Sequence, residues 1–125
     1  VNLVDIRPKL AAALAPVADD DPSVYPGFVD SIQPPALMLL PVSGRGDRTP
    51  CLFQVAGVVM LLAGRFEPGA GMDTLDQLVS YTLTRIGTDL PDLAVESWSE
   101  ARGFVVGGIT YLGSRLVYTT LAENP

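Results

Sequence analysis

Few side chains in this chain could do chemistry, and their spacing limits what they could do. Glu96 and Glu100 are the candidate pair for acid–base work. On an extended strand they share a face about 13 Å apart, wider than paired catalytic carboxylates sit. Cys51 is the single cysteine and the chain has no histidine. The thiol therefore lacks an imidazole base, and Cys/His metal sites are excluded. A lone cysteine closes no internal disulfide, so Cys51 reads as a small hydrophobe at the head of a strand. Asp19, Asp20 and Asp21 stand in a row before Pro22. A calcium loop alternates its oxygen ligands and adds a bidentate Glu, which is not nearby, so this stretch reads as a solvated turn. The loop Pro68 to Gly71 is too short for a phosphate loop and lacks its Lys and Ser/Thr. With no nucleophile elbow either, the inventory points away from an enzyme.

The elements that would position these groups centre on Leu52 to Ala63 (LFQVAGVVMLLA). This run is apolar on both alternating faces, as in a strand covered on two sides. Its valines and Phe53 suit a pleated surface, and Gly57 counts against a helix. Arg65 and Glu67 close it well short of the roughly 20 apolar residues of a membrane span. A dozen residues at about 3.3 Å each exceed what a small domain needs. The expectation is that one end runs past its own core into a neighbouring subunit, with a bend at Gly57.

Around this strand, Asn2 to Leu14 reads as an amphipathic helix capped by Asn2 or Asp5. Pro8 favours Asp5, because a proline three residues after the cap loses no intrahelical bond. No separate apolar core marks it as a signal peptide. Val24 to Val29 and Ala36 to Val42 read as strands whose prolines, Pro26 and Pro41, imply edges or bulges. Ser43 to Pro50 (SGRGDRTP) is the most polar loop. It holds Arg45-Gly46-Asp47, the tripeptide of integrin ligands, a weak match at that length. The loop reads either as a contact with another subunit, through Arg45, Asp47 and Arg48, or as a plain exposed turn. Met72 to Ile86 is the clearest helix, with Leu75, Leu78, Val79, Thr82, Leu83 and Ile86 on one face. Asp73 and Asp76 suit its N-terminal end, Arg85 its C-terminal end, and Gly87 its cap. Ala94 to Glu100 alternates as a strand, with Trp98 between Glu96 and Glu100 on one side. Trp98 either covers a core edge or anchors an interface. Gly107-Gly108 marks a tight hairpin into a last strand, Leu112 to Leu121. Helix, strands, helix and strands with hairpins predict one α+β domain over residues 1–125. It has a mainly antiparallel sheet with two helices packed on one face.

Composition narrows the partners. Hydrophobic residues make up 48% of the 125 and charged residues 18%, against about 25% charged in an average domain. Either the core is well filled, or partners bury part of the surface. The net charge of −6 and one lysine, Lys9, argue against a phosphate-gripping nucleic-acid binder.

The layout resembles that of the tail terminator proteins of long-tailed, siphovirus-like bacteriophages. The likeness lies in the opening NLVDIRPKLAAALAPV helix, the strand-rich middle after a Pro-Pro pair, and the single amphipathic helix after the long apolar strand. It lies above all in the closing VVGGITYLGSRLVYTTL. Pro8 inside the first helix and the SGRGDRTP loop depart from that pattern. The resemblance implies a structural virion protein of the tail and neck, assembled in the host cytoplasm. Such a protein forms a homohexameric ring at the head-proximal end of the tail tube, ends tube growth and joins tail to head. Its partners would be copies of itself, the tail-tube protein, and a head-side connector or stopper. DNA would pass through without specific binding, with no membrane and no cofactor. Arg45, Asp47, Arg48, Arg65, Glu67 and Trp98 are the candidate interface residues. The alternatives are another phage neck or tail-tube subunit, or a soluble non-catalytic binding module whose apolar excess lines a pocket. In a ring, the acidity would keep a channel from gripping phosphates, with Asp19 to Asp21, Glu96 and Glu100 as candidate lumen carboxylates. The competing reading is that it only keeps the protein soluble.

Overall fold

The computed structural model describes residues 2–46, 52–67 and 69–123. A 3-10 turn, Leu3–Asp5, leads into α1, Ile6–Leu14. Asp5 takes the cap position that Pro8 favours, although its side chain makes no cap bond. Then come β1 (Ser23–Tyr25), β2 (Ala36–Leu39), β3 (Ser43–Gly46), β4 (Leu52–Arg65), α2 (Met72–Asp89), β5 (Ala94–Trp98), β6 (Arg102–Val106) and β7 (Ile109–Glu123). All seven strands join one sheet ordered β1-β2-β4-β7-β5. β3 continues the β2 row along β4, and β6 continues the β5 row along β7. Among the described strands only β1 and β2 pair in parallel. The chain is thus an α+β fold with a mainly antiparallel sheet and two helices packed on it.

β4 is the centre of this sheet, but its length has a different cause from the one its sequence suggests. β7 pairs with it from Leu52 to Arg65. On its other side β3 takes Phe53 to Ala56 and β2 takes Val59 to Leu62. The strand is long because it serves two short partners end to end, and all of it lies within its own sheet. Its register with β7 runs unbroken through Gly57 and shifts only between Leu62 and Gly64. Gly57 instead makes room, because a Cβ there would run into the Tyr118 ring and hydroxyl across the ladder. Tyr118 is fully buried as a result.

The two sheet faces are covered unequally. Val55, Val59, Leu61, Leu112, Leu116 and Tyr118 face the helices and form the main core with Leu10, Leu14, Leu75, Leu78 and Ile86. Tyr81 ties the helices together by donating its hydroxyl to the Leu14 carbonyl at 2.8 Å. On the opposite, outer face a smaller core gathers Ala36, Met38, Leu62 and Tyr111 at one end of the sheet. Val29, Ile32 and Phe104 pack over it. Toward the other end, Ala56, Val58 and Val117 stay half-buried and Leu121 is exposed.

Several local expectations change. β2 is an interior strand, flanked by β1 and β4, because it stops before Pro41. The polar Ser43 to Gly46 stretch is strand, drawn in by pairing with β4, while Asp47 to Pro50 lie outside the described residues. α2 runs through Gly87 to Asp89, so Arg85 is not in its last turn. Arg85 lies over the Tyr81 ring, 4.8 Å from its centre, and reaches Asp21 at 3.6 Å. Gly107 and Gly108 do make the expected tight turn, with φ of +57° and +79°, which side chains with a Cβ resist.

Candidate functional site

The groups that could do chemistry stay apart. β5 ends at Trp98, so Glu100 lies in the connection to β6. A bulge at Glu96, between Val95 opposite Tyr118 and Ser97 opposite Val117, breaks the expected alternation. Glu96 and Ser97 therefore share the outer face, and Glu96 accepts a hydrogen bond from the Thr119 hydroxyl at 2.9 Å. Trp98 moves to the helix side, opposite Leu116. A bulge costs one residue of register and rotates every side chain after it. Trp98 does not lie between the two glutamates.

The acidic turn divides in two. Asp19 and Asp20 are exposed. Asp21 accepts from the backbone N–H of Val17 at 2.9 Å and of Ala18 at 3.0 Å. These bonds, helped by Arg85, hold its carboxyl below the usual range. Asp21 is thus a structural clasp between the end of α1 and α2. Among the described residues no three His, Cys, Asp or Glu side chains gather to hold a metal ion. No described helix is long and apolar enough to cross a membrane. Cys51 lies outside the described residues.

The candidate interface residues occupy three separate places. Arg45 is in β3, at the register position opposite Gln54. Arg65 is exposed at the end of β4, opposite Tyr111, with Glu67 just beyond it. Trp98 ends β5 on the far edge and is 51% exposed. Asp47 and Arg48 lie outside the described residues. Within one copy Arg45 and Trp98 are held on opposite edges of the sheet.

Two features involve residues that the sequence reading did not single out. Ser114 is buried in β7 and donates to the Ser99 carbonyl at 2.6 Å, while the Ser99 hydroxyl accepts from the Arg115 N–H at 3.0 Å. These bonds fasten the outer β5–β6 row where neither strand is regular. No sequence signal marks two serines 15 residues apart as partners. Second, a cleft of about 260 Å³ opens on the outer face between Phe28, Met38, Met60, Leu62, Phe104 and Val105. Among the described residues it is lined by no polar side chain, and its rim residues Phe28 and Val105 are 74% and 70% exposed.

Comparison with protein-family models and with curated proteins gave no match.

Proposed function

We propose that this chain is a structural subunit of a phage tail, of the terminator kind. Copies close into a ring, a hexamer by the resemblance, at the head-proximal end of the tail tube. There the ring stops tube growth and presents a docking surface to the head-side connector. The observation that carries this reading is the uneven cover of the sheet. One face is buried by the chain's own helices, while the other is apolar and only partly covered, with Phe28 and Leu121 exposed; Trp98 is exposed at the β5 edge. Apolar surface of this kind suits burial against other chains. The separated carboxylates and the missing histidine give no reacting constellation in its place. An excess of carboxylates over cations, 14 to 8, suits a channel through which DNA slides without counterion-releasing contacts. Deleting the gene for this chain should give tails of uncontrolled length that fail to join heads. Normal tails on the deletion strain would reject the role.

A second reading rests on the apolar cleft. Its volume is below the usual range for small-ligand pockets, about 300–1,000 Å³, but it has room for a small apolar molecule. Titration with an apolar fluorescent probe, with and without Phe104→Asp, tests it. Saturable binding lost in the variant would support a binding module.

A further inference from the structure

Charge is divided across the sheet. On the helix side Asp19, Asp20, Asp73, Asp76, Asp89 and Asp92 are all exposed. The cations there are fewer, Arg7, Lys9 and Arg85, and Arg85 is already paired with Asp21. The outer face has the opposite sign where it borders the apolar cleft. Arg115 lies opposite Met60, Arg102 opposite Gly113, and Arg65 opposite Tyr111. Gly113 in turn lies opposite Leu62. Met60, Leu62 and Tyr111 belong to the outer face, so all three arginines share it, and all three are exposed. Gly113 is two residues from Arg115, which makes Arg102 and Arg115 diagonal neighbours about 7–8 Å apart. Among the described residues the only ion pair is Arg85 with Asp21, so none of the three meets a described carboxylate. In a chain of net charge −6, cations gathered beside an apolar cleft suit an acidic partner with an apolar anchor.

We infer that this face is covered by the helix side of a second copy, with Val17 in the cleft and Asp19 and Asp20 against Arg102 and Arg115. The inference rests on the ring reading and names its joint. The corner between α1 and β1 carries both halves of the match. Val17 is 78% exposed, more than any other large hydrophobic side chain among the described residues. The two carboxylates follow it two and three residues on, and neither is held by a described ion pair. The corner is also pre-set. Asp21 accepts from the Val17 and Ala18 N–H groups and reaches Arg85, so docking orders little that is loose. On the receiving side, Met38 and Met60 line the cleft, and methionines adapt to an inserted side chain. Arg115 is one strand over from Met60, and Arg102 is two residues before Phe104 on the same face. The two surfaces face opposite ways across the sheet, so no copy covers its own. Front-to-back contacts of this kind are heterologous, and they form a ring when the rotation between copies closes. Asp19 and Asp20 then face a neighbour and not the channel.

Sedimentation of the intact protein from micromolar to millimolar concentration tests this joint. Association should weaken as salt rises. Arg102→Glu with Arg115→Glu should weaken it about tenfold, since like charges then meet. Asp19→Lys with Asp20→Lys should do the same. Those two changes add +2 each and take the net charge from −6 to −2. That alone lessens repulsion between copies, so a loss of association is specific to the joint. The four changes together restore the net charge of −6 and should return association to within about threefold of the wild type. Asp73→Lys with Asp76→Lys has the same net charge as the corner variant and should not rescue the arginine variant. Val17→Ser should weaken association with an unchanged melting curve. The joint is overturned by rescue through Asp73 and Asp76, by association that ignores both reversals, or by a protein that stays monomeric to millimolar concentration. Each of these leaves the ring reading to its tail-length test. Matched melting curves for all variants separate lost association from lost folding.

Discussion

The two faces of β4 carry nearly the same residue types and have different fates. Val55, Val59 and Leu61 point at the helices and are essentially inaccessible. Ala56, Val58 and Met60 point the other way and remain half-buried. Alternation in a strand records which positions share a face. Here hydrophobicity on both faces meets only one full cover from the same chain. The lesson is that a two-sided apolar strand specifies two covered faces without saying that one chain provides both covers. The outer face is closed at the end where Val29, Ile32 and Phe104 pack over Met38 and Leu62. It is open toward Leu121.

Substitutions on the helix side should be the most damaging. Leu78→Asp puts an unpaired carboxylate among Leu10, Leu75 and Ile86 and should cost about 4 kcal/mol or more. Loss of the cooperative thermal melt checks it, and an unchanged melt would remove the helix-to-sheet packing from the account. Gly57→Ala comes next. The new methyl meets Tyr118 on a face with no room to yield, and overpacking of this kind costs about 1–3 kcal/mol. If Gly57 were a bend rather than a gap, the loss would stay near a few tenths of a kcal/mol, and the denaturant midpoint distinguishes the two. On the outer face, Val117→Ser should change monomer stability by less than about 1 kcal/mol. An effect on the scale of Leu78→Asp would erase the contrast between the faces.

The smallest effects concern pH and sharpen the helix side alone. Burial pushes the Tyr118 phenol up from its ordinary value, with the nearby Arg7 charge opposing. A raised value means that the neutral ring is favoured in the folded state. That contribution is whole below about pH 10 and is lost as pH rises further. Tyr118→Phe should flatten the alkaline limb of a melting-temperature profile. Asp21 is the reverse case, lowered by the Val17 and Ala18 N–H groups. Its contribution is whole above about pH 4 and fades as pH falls through the lower folded value. Asp21→Ala should flatten the acid limb.

Much of the fold is legible in the residues because the signals are local. The α2 stripe from Leu75 to Ile86, the apolar run of β4 and the Gly107-Gly108 turn each act within a few positions. What escapes depends on space. Ser43 to Gly46 has little strand propensity and becomes strand only because β4 offers an unpaired edge. Gly57 reads as a weak point until Tyr118 is seen across from it. The Glu96 bulge leaves no mark in an alternating pattern, yet it carries Trp98 to the other face. At the candidate site, Arg45 and Trp98 could be named from their types, but their relation needs the strand order. Only that order places them on opposite edges of one sheet.

Electron microscopy of assembled particles that carry this chain tests the central claim most directly. The account predicts a closed ring of copies at the head-proximal end of the tail tube. Copies repeated along the whole tube, or particles that lack the chain at that end, would contradict it.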